Sequence, residues 1–435
     1  MPADRPGSVE GRRVAIVDGL RTPFAKSGTD LAGISTLDMS SALVTELVVR
    51  SGVDPATVDR VVYGSVIQDV ASPNLAREIV LASPLPDTVD AYSLTRACAT
   101  STQTFVDGAR AILLGEAEVV VTGGADSLSR PPVLFSDEFV SVMQEAQASR
   151  DLAGRVKALS RLRPRDFAPH PPAIADRSTG ETMGEGAEHM AQLWGISREE
   201  QDQYALESHR KSIEAWEKGV YDSEVMPLAL PPGYSEVVER DTIPRADTSA
   251  ERLASLRPVF DRRHGTITAG NASPLTDGAS ALILMEEGTA RRLGYEPKAF
   301  LRSYAFAAVD PNWQLLIGPA LSTPIALDRA GVTLTDIDVI DLHEAFAAQV
   351  LAVKEAFASP AFAREHLERD TAIGEIDDDR LNLYGGSISL GHPFGATGAR
   401  QLLTMANELV RRDAGLALVS QCAAGGLGAS VILER

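Results

Sequence analysis

"GVDPATVDRVVYG", residues 52–64, and "GVTLTDIDVIDLH", residues 331–343, are nearly one phrase written twice, at an offset of 279 residues. Each opens on Gly-Val and reaches a branched apolar residue followed by Asp, at Val58-Asp59 and Ile337-Asp338. Each then runs into apolar positions that read as a short strand. A second pair, "AEVVVTGGADS" at 117–127 and "LALVSQCAAGG" at 416–426, shares a buried-strand pattern that ends in small residues. The two pairs point to an internal duplication: two similar α/β halves, each with a strand ending near the chemistry.

Working outward, "RVAIVD" at 13–18 reads as a first strand and "DMSSALVTELVVR" at 38–50 as a helix. After Cys98, the apolar residues Phe105, Ala109, Ile112 and Leu113 recur at helical spacing, with Gly115 closing the helix. The strand at 117–124 follows. Between the halves the texture changes. Segment 131–255 has Pro pairs at 131–132, 171–172 and 231–232 and many charges. It carries a helix at 197–218, with Ser197 as cap and Glu200 three residues on. "TITAGNASPLTDGASALILM" at 266–285 then returns to a strand–turn–helix–strand style. The expected layout is an N-terminal α/β half at 1–130 completed by 256–295, an inserted, mostly helical region at 131–255, and a C-terminal α/β half at 296–435.

The bulk numbers exclude several classes. A chain of 435 residues, 44% hydrophobic and 23% charged, has ample material for a core. Its formal net charge of -19 disfavours nucleic-acid binding. No run of 18 apolar residues predicts a membrane-spanning helix, and "MPADRPGSVEGRRVAIVDG" has no secretory h-region. Two cysteines argue against a disulfide scaffold and for a reducing cytoplasm. One local exception to the acidity is "SRDLAGRVKALSRLRPR", 149–165, with six basic residues and one acid. Leu152, Val156 and Leu159 share one face there, giving a basic amphipathic helix.

Four stretches carry chemistry. Cys98 in "TRACATSTQ" stands at a predicted helix start, where partial positive charge lowers a thiol pKa and favours a nucleophilic thiolate. His392 lies in "GGSISLGHPFGATGARQLL", 385–403, where glycines let backbone approach a ligand and a helix N-terminus favours a neutral imidazole base. Cys422 in "SQCAAGGLGAS" precedes a turn able to aim N–H groups at an oxyanion. His343 and Glu344 end the strand of "DLHEAFAAQ". Each residue also has a plain reading, as a small buried hydrophobe or an incidental side chain in a capping turn. Neither H-E-x-x-H nor C-x-x-C occurs, so no metal is expected. The phosphate loop and a convincing dinucleotide fingerprint are absent, which disfavours nucleotide hydrolysis and nicotinamide binding.

"RACATS", "NASPLTDGAS", "HEAFAAQ", "GGSISLGHPFGATG" and "QCAAGGLG" occur in the order seen in thiolases, and the chain resembles that family over nearly its whole length. It looks most like the β-subunits of fatty-acid-oxidation trifunctional complexes, from His343 (where the usual thiolase has Asn), the "CAAGG" turn and the long insertion. The resemblance implies a thiolase fold and a 3-ketoacyl-CoA thiolase. Cys98 would be the acylated nucleophile, His392 the base, and Cys422 the acid and base for the acetyl-CoA enolate and incoming coenzyme A. His343 with His392 would form one oxyanion hole, and the N–H groups of Cys98 and Ala424 the other. Glu344 would orient the His343 side or a water. Ser273 would contact the pantetheine arm and Met183 line the acyl pocket.

Coenzyme A would be a co-substrate, with no permanently bound cofactor. A homodimer or homotetramer is implied, and an enoyl-CoA hydratase/3-hydroxyacyl-CoA dehydrogenase subunit as partner. Segment 149–165 would hold the phosphates of coenzyme A, dock a partner or an anionic membrane surface, or be a solvated lid. Two other readings share the resemblance: a short-chain acetyl-CoA acetyltransferase, and a non-catalytic lipid-binding protein. A decarboxylating ketosynthase of the same fold carries two histidines and one cysteine, so Cys422 speaks against it.

Overall fold

A computed structural model of the chain describes residues 11–169 and 175–435. The Pro171–Pro172 pair and the first ten residues lie outside the described residues.

The longer strands are β1 (Val14–Arg21), β2 (Arg60–Gly64), β3 (Asp90–Leu94), β4 (Val119–Asp126), β5 (Thr276–Glu286), β6 (Ala299–Ala308), β7 (Val339–Leu342), β8 (Leu416–Ala423) and β9 (Leu427–Glu434). They form one continuous sheet in the order β7-β8-β9-β6-β1-β5-β4-β2-β3. Its centre is the antiparallel contact of β1 with β6, where Ala15 faces Phe300. Outward from that centre the two halves repeat. β1 pairs antiparallel with β5, β5 antiparallel with β4, and β4 parallel with β2. In the same way β6 pairs antiparallel with β9, β9 antiparallel with β8, and β8 parallel with β7.

The duplicated phrase is visible residue by residue. Helix α1 (Thr36–Ser51) stops at Gly52, whose φ of 69° only glycine adopts at little cost. Its counterpart, a helix at Gly318–Ala330, stops at Gly331 with φ 70°. Short 3-10 turns follow at Pro55–Thr57 and Leu334–Asp336, and then β2 and β7. The second match slides by two residues. Arg60 stands opposite Val120 and Val339 opposite Ala417, so Ala125, not Gly123, is the counterpart of Cys422. Strands buried on both faces are continuous apolar runs, and such runs carry no register signal.

Alternating side chains of these strands feed two layers. Val120, Leu282, Val419 and Val431 face helices α2 (Thr100–Leu113) and, later in the chain, Thr397–Arg412, which lie between the half-sheets. Val119, Val121, Ala281 and Ile283 face α1 on the outside. β4 begins two residues later than expected, and the apolar run after Thr276 is a single strand without a helix, because its residues are buried from Thr276 to Met285.

The insertion holds α3 (Asp137–Ala148), α4 (Leu152–Leu159), α5 (Met183–Trp194) and α6 (Arg198–Glu217). Ser197 and Glu200 form the expected capping box. Ala187, Met190 and Ala191 of α5 join the C-terminal core together with residues of α7 (Gly318–Ala330) and α8 (Ala347–Ala358). The final helix of the chain is α9 (Thr397–Arg412). The basic helix is shorter than its sequence pattern. α4 packs on α3 around Val142, Ala146 and Ala158, and Arg161 pairs with Glu145 at 2.7 Å. Its apolar stripe faces outward, with Leu152 75% and Val156 57% exposed.

Candidate active site

Cys98 lies in the turn between β3 and α2, two residues before the helix. Ala97 takes the left-handed conformation, φ 46°, which is uncommon for a residue with a Cβ. Thr100 secures this turn: its hydroxyl donates to the Ala97 carbonyl at 2.7 Å and accepts the Arg96 N–H at 2.8 Å. The thiol faces the N–H groups of Ala424 and of Cys98 itself. Burial nevertheless pushes the thiol up to about 11, with those two N–H groups pulling the other way. The lowered thiol pKa expected from the helix start is therefore overturned, because desolvation outweighs it.

His343 follows β7 directly, its N–H donating to the Ser420 carbonyl at 2.9 Å and its Nδ1 lying 2.9 Å from Ser387 Oγ. His392 donates its N–H to Thr276 Oγ1 at 3.0 Å and sets Nδ1 2.6 Å from Thr397 Oγ1. The two ring centroids are 4.2 Å apart. Both Nε2 atoms are buried without a hydrogen-bond partner. Cys98 Sγ and one nitrogen of each ring lie within 4.8 Å of one another. Three separate chain segments, one of them more than two hundred residues from the other two, thus converge on one point.

Burial holds His392 down to about 3, and the Arg400 guanidinium adds to it. His343 is held well below the usual range by burial, then by His392 and Arg400. The neutral imidazole expected at 392 is found, but its cause differs. A 3-10 turn, Phe394–Ala396, separates His392 from α9, so desolvation and a buried cation do what was assigned to the helix dipole. Cys422, at the end of β8, is fully buried and pushed well above the usual thiol range by burial and by Cys98 beside it.

Ser273 donates its N–H to the Ala345 carbonyl at 3.0 Å, between the bridges that tie Ala272 to Phe346 and Leu275 to His392. It thus borders both histidine segments. Met183 begins α5 and packs on the core cluster that contains Phe346 and Cys422. Glu344 does not touch the imidazole. Its buried carboxylate accepts from Tyr204 Oη, Ser208 Oγ, Asn382 Nδ2 and the Ile388 N–H. It therefore anchors the segment that sets Ser387 on His343. A Cβ on Gly386 would lie 2.4 Å from this carboxyl, which is why glycine stands there.

Several residues were not singled out from the sequence. Asp126, at the end of β4, accepts from Ser65 Oγ and from the N–H groups of Val66, Ile67 and Gly395. It fastens the N-terminal half to the His392 turn. Ser101 Oγ accepts the Ala399 N–H at 2.9 Å, and Thr102 bonds Gln421, so the start of α2 is tied to α9 and to β8. Short hydroxyl residues in glycine-rich stretches were the only local signal for Ser387 and Thr397. A cavity of 450 Å³ opens beside the site, lined by Lys26, Arg245, Arg252, Pro274 and Ile388. The cations of 149–165 are absent from its lining.

A cysteine and two imidazoles held neutral by burial meet where the two duplicated halves join, with a second thiol alongside, an arrangement suited to thiol-dependent acyl transfer. The thiolase N-terminal domain family matches residues 14–288 and the thiolase C-terminal domain family residues 295–435. The chain belongs to the thiolase family. It is 49% identical over 425 residues to the 3-ketoacyl-CoA thiolase of Erwinia tasmaniensis, covering 98% of this chain and 97% of that one. The 3-ketoacyl-CoA thiolase of Yersinia enterocolitica gives the same figures. Among solved structures, Bacillus anthracis acetyl-CoA acetyltransferase is similar with a TM-score of 0.85 at 33% identity, covering 97% of this chain and 98% of that one. Human mitochondrial 3-ketoacyl-CoA thiolase is similar with a TM-score of 0.82 at 31% identity, covering 98% and 99%.

Proposed function

We propose that the protein is a 3-ketoacyl-CoA thiolase working through an acyl-Cys98 intermediate. The observation that carries this reading is the convergence of Cys98 with the two partnerless Nε2 atoms of His343 and His392. A thiol held up at about 11 needs a base at its moment of attack, and His392 Nε2 is free to serve. The thiolate attacks the 3-keto carbon. The carbonyl oxygen becomes an alkoxide facing the Cys98 and Ala424 N–H groups.

Collapse of the alkoxide breaks the bond between carbons 2 and 3 and leaves the acyl group on Cys98 as a thioester. The departing acetyl-CoA is an enolate whose oxygen faces the two imidazole Nε2 positions. His392, now protonated at Nε2, donates there. His343 donates as the Nε2–H tautomer, its Nδ1 accepting a hydrogen bond from the Ser387 hydroxyl. Cys422 starts protonated, as its raised pKa requires, and gives its proton to the enolate carbon. The resulting Cys422 thiolate deprotonates coenzyme A, whose thiolate attacks the thioester; Cys98 leaves as a thiolate and takes back the proton held on His392 Nε2. Coenzyme A is a co-substrate, and no step needs a resident cofactor. The Lys26, Arg245 and Arg252 cavity suits its phosphates, while Ser273 and Met183 border the pantetheine and acyl sides.

The same residues run the reverse condensation, and similarity to a Bacillus anthracis acetyl-CoA acetyltransferase favours a short-chain specificity as second reading. The layout of 1–130 with 256–295, 131–255 and 296–435 is kept as the functional division, with the insertion closing over the acyl side. Among the described residues no helix is long and apolar enough to cross a membrane. We assign the protein to the cytoplasm as a homodimer or homotetramer. The outward apolar stripe of α4, rimmed by Arg155 and Lys157, suits a hydratase/dehydrogenase subunit or an anionic membrane surface.

The deciding experiment is coenzyme-A-dependent thiolysis of 3-ketoacyl-CoA substrates of increasing chain length, with Cys98→Ala as control. Rates that rise with chain length and vanish in the variant support the reading. Activity confined to acetoacetyl-CoA selects the short-chain one.

A further inference from the structure

Arg400 sits in the first turn of α9 and is 1% exposed. Its guanidinium has one protein partner: Nη1 donates to Asp341 Oδ2 at 2.6 Å, while Nε and Nη2 are buried without any. Asp341 receives its second bond from Gln401 Nε2 at 2.6 Å. Both ends of this pair lie on the elements that aim the histidines. Asp341 is on β7, two residues before His343. Arg400 is three residues after Thr397, whose hydroxyl holds His392 Nδ1.

We infer that Arg400 is a positioning residue for acyl transfer: pinned to Asp341, it fastens the strand that delivers His343 to the helix that orients His392, and its partly compensated charge stands behind the imidazole pair. The inference rests on the acyl-transfer reading of the site. A fixed cation behind two imidazoles disfavours imidazolium and favours negative charge developing in front of them. Arg400 acts on both rings in this sense. The other titratable groups around the pair do not substitute for it. Cys98 and Cys422 stand in front as thiols. Asp126 is engaged under the 392–398 turn by Gly395 and the 65–67 segment. Glu344, beside His343, is engaged by Tyr204, Ser208, Asn382 and Ile388. Lysine would keep the charge but, as a compact ammonium on a shorter stem, would not reproduce the single Nη1 bond to Asp341.

The test compares Arg400→Lys, Arg400→Met and the pair Arg400→Met with Asp341→Asn, which avoids leaving a buried carboxylate unpaired. Thermal melting identifies folded variants. In both Met variants kcat for thiolysis falls about 10- to 100-fold while KM stays within about threefold, since the transition state is affected more than binding. An acid limb of kcat appears at a pH at least about one unit above any shown by the wild type, because the imidazoles protonate more readily. Arg400→Lys regains the wild-type limb with only part of the rate. Nitrogen-15 histidine NMR titration, which needs no turnover, reports the same shift for the two rings. Unchanged ring titrations in a folded Met variant, or a loss carried by KM alone, overturn the inference. A wild-type chain inactive in thiolysis overturns the acyl-transfer reading, and with it the catalytic part of this one. The ring titrations then still decide the electrostatic part.

Discussion

The turn that enters α2 and the turn that enters α9 are counterparts, and they have been put to opposite uses. One reads Cys98-Ala99-Thr100, the other Gly395-Ala396-Thr397. Both threonines open their helices. Thr100 spends its hydroxyl on the backbone of Arg96 and Ala97, which fixes the Cys98 turn. Thr397 spends its hydroxyl on the His392 imidazole. Where the first turn carries Cys98, the second carries a glycine. A Cβ there would meet Asp126 Oδ2 at 2.9 Å. The strand ends diverge likewise, Gly64 answering to His343 and Ala125 to Cys422. Duplication supplied two equivalent rims facing each other. Divergence then left Cys98 on one rim and the two histidines with Cys422 on the other, so the cluster forms only across the halves.

The sharpest way to break this division of labour is at the proposed nucleophile. Cys98→Ala should lower thiolysis at least about 10⁴-fold with melting unchanged, since no other group on that rim can hold the acyl chain. Activity within a hundredfold of wild type would move the nucleophile to Cys422 and invert the comparison. Next comes the base: His392→Asn should cost about 10²- to 10⁴-fold in kcat. The twin threonines then separate the two uses. Thr397→Val should lower kcat about 10- to 100-fold by freeing the imidazole. Thr100→Val should leave kcat within about fivefold while costing about 1–3 kcal/mol of stability, read from urea unfolding. Equal effects at the two positions would mean that both threonines are merely structural.

Much of this was legible in the sequence, and the limits have physical causes. The offset between the duplicated phrases placed Gly52 with Gly331 and β2 with β7, because left-handed glycines and 3-10 turns are local features. The cysteines and histidines stood out because rare residues sat among glycines. The register of β4 against β8 was not legible, since both strands are buried on two faces. Nor were the protonation states. The thiol at 98 and the imidazole at 392 were judged from nearby helix ends, but burial governs both, and burial is a sum over distant segments. The buried Asp341–Arg400 and Asp126–Gly395 contacts join residues 59 and 269 positions apart, which no spacing rule detects.

The smallest effect tests burial itself. His392 is held at about 3 and His209 at about 4, both by desolvation, against about 6.5 in an unfolded chain. Below pH 6.5 the unfolded state therefore binds protons that the folded state refuses. Stability is lost as pH falls through that value, by about 1.4 kcal/mol per unit for each such histidine until its folded pKa is reached. Asp126 works the other way. Held up at about 6 by burial, its carboxyl takes a proton in the folded state between about pH 6 and 3.8, where the unfolded one does not, and partly offsets the loss. Urea unfolding at pH 7.5, 6.5, 5.5 and 4.5 should thus show a falling stability on the acid side. His392→Asn, which removes one refused proton, should make that fall shallower. An unchanged slope would mean that water reaches this imidazole in the resting protein. Burial would then govern the Cys98 thiol on one rim but not the imidazole on the other, and the two rims would differ in how their groups are held as well as in which groups they carry.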